Sequence, residues 1–165
     1  MREFIIPGEN ITVANNNPVS LVMVMPAAAP SVNLEILRCF VSQAANATSA
    51  QQRVEHTTQV AAFPTTAVST NPVSLKRADP NASVIAGAAT IAAGKSGINV
   101  GTEGAGTKTS IWAEAFNVLN GYLYVPTPAE TMVYPAGSLS AYDLQFPAAP
   151  AALTNWNVGV TFREV

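Results

Sequence analysis

The stretch Trp156-Asn157-Val158-Gly159-Val160-Thr161-Phe162-Arg163 decides the fold. Trp156, Val158, Val160 and Phe162 fall on one face, and Asn155, Asn157, Thr161 and Arg163 fall on the other. Successive side chains of an extended chain point to opposite faces, so this period of two is that of a β-strand with one side buried. The alternation runs from Leu153 to Val165, which predicts that the last residues pair in a sheet.

Other segments repeat the pattern. Ser138 to Phe146 forms a strand joined to the last one by Pro147-Ala148-Ala149-Pro150, and Thr131 to Tyr134 reads as a short edge strand. Asn120-Gly121 is a two-residue hairpin signal, with Thr109 to Val118 leading in and Tyr122 to Val125 as the return strand. That hairpin would pack Trp112 and Phe116 beside Tyr122 and Tyr124. Arg53 to Phe63 alternates, with Val54, His56, Thr58 and Val60 opposing Arg53, Glu55, Thr57 and Gln59. Val32 to Val41 is apolar on both sides: Val32, Leu34, Ile36 and Phe40 on one, Leu37, Cys39 and Val41 on the other. That is the pattern of a central strand covered on both faces.

Nearer the start, Phe4-Ile5-Ile6, Ile11-Thr12-Val13 and Val19 to Met25 are strands stopped by Pro7-Gly8, Asn15-Asn16-Asn17-Pro18 and Pro26. Gln43 to Gln52 reads as a connection with at most one helical turn. Residues 82–108, rich in Gly and Ala, offer strand fragments only at Ser83–Ile85 and Ile98–Val100. The sum is roughly eight to ten short antiparallel strands in one all-β domain over 1–165, a jelly-roll-like sandwich or barrel.

Composition narrows the function classes. Of the 165 residues 48% are hydrophobic and only 11% charged, against about 25% charged in ordinary soluble proteins. Asn, Thr, Ser and Gln fill the polar positions, and a surface so poor in charge is weakly protected against association. It suits burial in an assembly. The net charge of −2 leaves no basic footprint for nucleic acid. No apolar run reaches the ~20 residues that span a bilayer. Met1 to Ile6 lacks the long apolar core of a signal peptide, so synthesis in a cytoplasm is expected. The Asn-x-Ser/Thr triplets at Asn10, Asn46 and Asn81 follow from an Asn- and Thr-rich composition.

Reactive groups are sparse. Cys39 is the one cysteine, set among Ile36, Leu37, Phe40 and Val41, and reads as a small core residue. His56 is the one histidine, and its place in an alternating strand points to a hydrogen-bonded structural role. The ten carboxylates are scattered, and no two sit at a spacing that forces a paired acid site. Gly94-Lys95-Ser96 lacks the upstream glycine and the following helix of a phosphate-binding loop. Gly101 to Thr107 reads as a tightly turning or mobile surface loop. The expectation is no catalytic residue, no metal and no cofactor.

Val32 to Gln43, Ala47 to Val54, Phe116 to Pro126 and the ending from Phe146 to Val165 together resemble small virion proteins of tailed bacteriophages, in particular head decoration (cement) proteins. The resemblance implies a jelly-roll-like unit on the capsid exterior, binding the major capsid protein and assembling as a homo-dimer or homo-trimer. It implies no nucleic acid, no membrane and no reaction. On that reading Phe4, Ile5, Ile6 and Pro7, within residues 1–9, are a contact arm for the shell. The same residues also read as the first edge strand of the domain. A receptor- or glycan-binding β module of a tail or head fibre is the alternative function.

Overall fold

Trp156, Val158, Val160 and Phe162 are fully buried, and the strand that carries them runs down the middle of a sheet. The computed structural model describes residues 2–45, 48–76 and 82–165. Among these it contains strands and turns but no helix. In chain order the strands are β1 (Arg2–Ile11), β2 (Val19–Val24), β3 (Leu34–Gln43), β4 (Gln51–Val60), β5 (Val68–Ser69), β6 (Val73–Ser74), β7 (Ala86–Gly87), β8 (Lys95–Ile98), β9 (Thr107–Asn117), β10 (Tyr122–Tyr124), β11 (Met132–Tyr134), β12 (Ser140–Phe146) and β13 (Trp156–Glu164).

Two sheets result. The first runs β10-β3-β13-β1-β6, with β11 also on β3 below β10. The second, curled, runs β5-β8-β2-β12-β4-β9, with β7 on β8. Without β5 to β8, strands 1, 13, 3 and 10/11 face strands 2, 12, 4 and 9. Every pairing in that skeleton is antiparallel. This is the strand order of a jelly roll, in which each long strand answers one in the opposite sheet. The all-β sandwich read from the sequence is therefore the fold, with more strands than the eight to ten expected. The additional ones, β5 to β8, have two to four residues each, too few to show alternation.

The inward faces of both sheets form one core, with Phe4, Ile6, Val22, Val24, Leu34, Ile36, Leu144, Phe146, Trp156 and Phe162 at its centre. Fully burying side chains of this size contributes about 1.5–3 kcal/mol each before entropy is charged against it. Residues 61–106, which carry β5 to β8, lie between β4 and β9. They extend the second sheet beside β2, and β6 flanks β1 in the first. They also cover part of the second sheet's outer face, making a smaller core of Met23, Met25, Ala67, Ile91, Val100 and Ala141.

Three expectations change. The Asn120-Gly121 turn does not join a hairpin: β9 pairs with β4 in one sheet and β10 with β3 in the other. Only Gly121 takes a left-handed φ (+72°), whereas the two-residue hairpin turn signalled by Asn-Gly needs it at both central positions. The aromatic contacts survive in another form, Phe116–Tyr122 at 5.8 Å and Trp112–Tyr124 at 6.2 Å, between sheets rather than within one. Second, β3 is not buried on both sides. A bulge opposite Thr161/Phe162 inserts one residue, so Ile36 and Cys39, three apart, both face the core while Arg38 is exposed. Third, of residues 1–9, which read both as an arm and as the first strand, 2–9 belong to β1, a ten-residue strand held between β13 and β6. Phe4 and Ile6 are buried, and Ile5 and Pro7 lie half-buried. Of the 43–52 connection, residues 46 and 47 lie outside the described residues, as does Asn81.

Candidate functional site

Two buried polar clusters hold the chain's reactive side chains. The first lies between the sheets. Cys39 on β3 meets the Tyr142 hydroxyl of β12 at 3.0 Å, and that hydroxyl meets His56 Nδ1 of β4 at 2.8 Å. His56 Nε2 in turn meets the Tyr122 hydroxyl of β10 at 2.9 Å. A neutral imidazole donates at one nitrogen and accepts at the other, so both of its needs are met. Burial pushes the His56 pKa down to about 4. It pushes the Cys39 thiol up to about 12, against the opposing Tyr142 hydrogen bond. A neutral thiol is a poor nucleophile. The relay therefore works as a strap between layers, joined by Thr58 and Tyr134 at 2.8 Å.

The second cluster lies on the outer face of the curled sheet, under the inserted segment. Lys108 Nζ contacts Glu103 Oε2 (2.6 Å), Asp143 Oδ2 (2.7 Å), Ser20 Oγ (2.8 Å) and Gln145 Oε1 (2.9 Å). Asp143 also accepts from Ser20 and Thr57. Burial raises the Asp143 pKa to about 6, with Lys108 pulling the other way. Burial alone would lower the Lys108 pKa, but Asp143 and Glu103 outweigh it and hold the ammonium above its usual value. This pair of carboxylates escaped the sequence, because Glu103 and Asp143 are forty residues apart and meet only through the insertion. Their shared amine sits in contact with both. No group of His, Cys, Asp and Glu able to hold a metal is found among the described residues.

The glycine-rich stretch 101–106, the end of the insertion, turns tightly against its start. A Cβ on Gly104 or Gly106 would run into the carbonyl oxygens of Ala62 and Ala61. Gly94 turns at φ +72°, and Lys95 and Ser96 enter β8, so no phosphate loop forms there.

That leaves two surfaces. On the outer face of the first sheet, Ile5, Pro7, Phe40, Val73 and Val158 line a recess of about 540 Å³. Gly159 makes room for it: a Cβ there would strike the Phe40 ring. Of the four residues expected to touch a partner, the structure brings Ile5 and Pro7 to this recess and puts Phe4 and Ile6 inside the core. The second surface lies where β9 and β10 leave the sandwich open. Ile111, Trp112, Leu123, Tyr124, Val125 and Met132, with Pro126 and the carboxylate of Glu130, line a groove of about 390 Å³ there, and the first three and Val125 are 47–64% exposed. Sequence alternation marked these residues as strand members without showing that both strands sit at edges.

Compared with known proteins, the chain matches no family model, no curated protein and no solved structure.

Proposed function

We propose that the chain is a structural subunit of a tailed-phage virion, a decoration protein that binds the major capsid protein on the outside of the head and stabilises the shell. The observation that carries this reading is the strand order, 1-13-3-10/11 facing 2-12-4-9, which recurs in viral shell domains and in lectins. A fold alone does not assign a role. The step to phage rests on the resemblance at 32–43, 47–54, 116–126 and 146–165. The low charge and the two closed polar clusters support a structural rather than a catalytic part.

The recess of Ile5, Pro7, Phe40 and Val73 is the face we assign to the shell. Each contact of this size is weak, but copies arrayed by symmetry on one particle combine through multivalency. Co-sedimentation with undecorated, expanded capsids tests the reading. Saturable binding at a stoichiometry set by the shell is expected, reduced in Phe40→Ser. Deleting residues 1–8 is not informative, since it strips Phe4 and Ile6 from the core. Failure of the folded wild-type protein to sediment with capsids overturns the proposal. One observation favours a glycan-binding module instead: Trp112, 47% exposed, stands beside Tyr124 in an open groove. Saturable binding on a glycan array, lost in Trp112→Ala, would move the assignment there.

A further inference from the structure

The two sides of the sandwich end differently. On one side the outermost strands, β5 and β6, have two residues each, and short edge strands give a neighbouring chain little to pair with. On the other side the curled sheet ends in β9, eleven residues long, which pairs with β4 and with nothing else among the described residues. Nearly all of β9 is exposed, and from Thr109 to Asn117 it carries no Pro, Lys or Arg. Pro and basic residues are common guards of an edge, and the devices of that kind that β9 does carry are Glu114 and a bulge. Its one departure from regularity is a bulge at Ile111, which pushes that side chain toward the groove shared with Trp112, Leu123 and Val125.

We infer that this edge and groove are the interface between two copies of the chain, related by a two-fold axis through the middle of β9. The resemblance already implies a homo-dimer or homo-trimer; this inference adds which surface joins the copies and by what symmetry, and it is tested apart from capsid binding. Three features favour a second copy as the occupant. The first is area. The exposed parts of Ile111, Trp112, Leu123 and Val125, with their neighbours, amount to roughly 500 Å² of apolar surface, toward the upper end of the largest patch on an ordinary monomer, which is often functional. Two copies face to face then bury roughly 1,000 Å², the floor for a specific interface, before the strand pairing is added.

Charge is the second. An antiparallel pairing about Trp112 sets Glu114 opposite Ser110 of the second copy, and one about Ile111 sets it opposite Lys108, whose ammonium is already held in its own chain's ion cluster. Neither opposes like charges, which would cost stability across a strand pair. Closure is the third. A strand paired antiparallel with its own copy is self-complementary, so both free edges are consumed and no fibre grows.

Sedimentation velocity of the full chain over a range of micromolar concentrations tests this, with amide exchange as a second readout. The wild type should form a dimer of twice 17.2 kDa and slow the exchange of β9 amides. Leu123→Glu should weaken dimerisation by roughly tenfold or more and release that protection, while its circular dichroism and melting stay as in the wild type. Val68→Glu, at the opposite side of the sandwich, should dimerise as the wild type does. A wild type that stays monomeric throughout, a Leu123→Glu that dimerises normally, or association that grows without closing at two copies each overturns the inference. Capsid co-sedimentation is read separately, so a monomer that still binds shells refutes this interface alone.

Discussion

The side of the sandwich carrying β5, β6 and β8 and the side ending in β9 are built from the same kind of strand and finished in opposite ways. The first is wrapped by residues 61–106, which extend one sheet, flank the other and seal an outer face over Met23, Met25 and the Lys108 cluster. The second ends in exposed apolar side chains, and just inside them the layers are strapped by the Cys39-Tyr142-His56-Tyr122 relay and the Thr58–Tyr134 bond. A buried face needs its polar groups paired; the hydroxyls and imidazole of one region meet that need, and the ion cluster of the other meets it but for Asp143 Oδ1, which has no partner among the described residues. The difference lies in what is left over. The wrapped side has spent its apolar surface internally, whereas the open side keeps it available. Substitutions on the wrapped side should therefore change stability, and those on the open rim should change association.

The largest effect is expected from Lys108→Met. It leaves Asp143, fully buried, and Glu103 together without their cation, and removing one partner of a buried pair costs about 3–5 kcal/mol. Urea unfolding should show that loss, and adding Asp143→Asn should recover a large part of it. A double variant no better than Lys108→Met would mean the amine acts by filling space.

The strap on the open side predicts a pH effect. The folded-state pKa of His56 is lowered from 6.5 to about 4, so the unfolded chain binds the proton first as pH falls. Its contribution is complete above about pH 6.5 and is lost on descending toward 4, in total about 3 kcal/mol. Asp143 runs the other way. Its folded pKa is raised to about 6, so its contribution is present at low pH and is lost as pH rises through 6. The advantage of wild type over His56→Gln in urea midpoint should shrink from pH 7 to pH 4. A constant gap would show that the imidazole does not titrate as its burial requires.

Smaller still is Gly106→Ala. The added methyl meets the carbonyl oxygens of Ala61 and Val60, which are backbone and cannot swing aside, so the insertion must shift. Overpacking of this kind costs about 1–3 kcal/mol. Faster amide exchange across residues 61–106, with β9 to β11 unaffected, would place the damage on the wrapped side as the comparison requires.

Much of this was legible in the residues and some was not, for definable reasons. Alternation in 156–163 identified the central strand and its inward face, and the isolated settings of Cys39 and His56 pointed to the core positions they hold. No local pattern says whether the outward face that carries Met23, Asp143 and Gln145 meets water or a folded insertion. The bulge in β3 was invisible because an inserted residue imitates a strand apolar on both sides. Asn120-Gly121 gave the turn but not its destination: the dipeptide favours reversal, and whether the chain returns to the same sheet depends on where β3 offers an edge. Residues 1–9 read equally as an arm and as a first strand because Phe4-Ile5-Ile6 looks the same in sequence whether it pairs with β13 or with another molecule.

The smallest predicted change is also the one that separates the two sides most cleanly. Leu123 is 64% exposed and its neighbour on β3 is Phe40, so its side chain adds little to the folded core. Leu123→Thr keeps a strand-compatible, β-branched residue at the position, and surface changes away from caps, cavities and charges stay within about 0.5 kcal/mol. Urea unfolding of this variant should therefore match the wild type in midpoint and slope when both are measured dilute enough to be monomeric. A clear loss of stability there would mean that the rim of β9 and β10 belongs to the core after all, and that the exposed leucine is held by packing the monomer needs. An unchanged midpoint leaves it doing nothing for the fold, as the contrast between the wrapped and the open side requires.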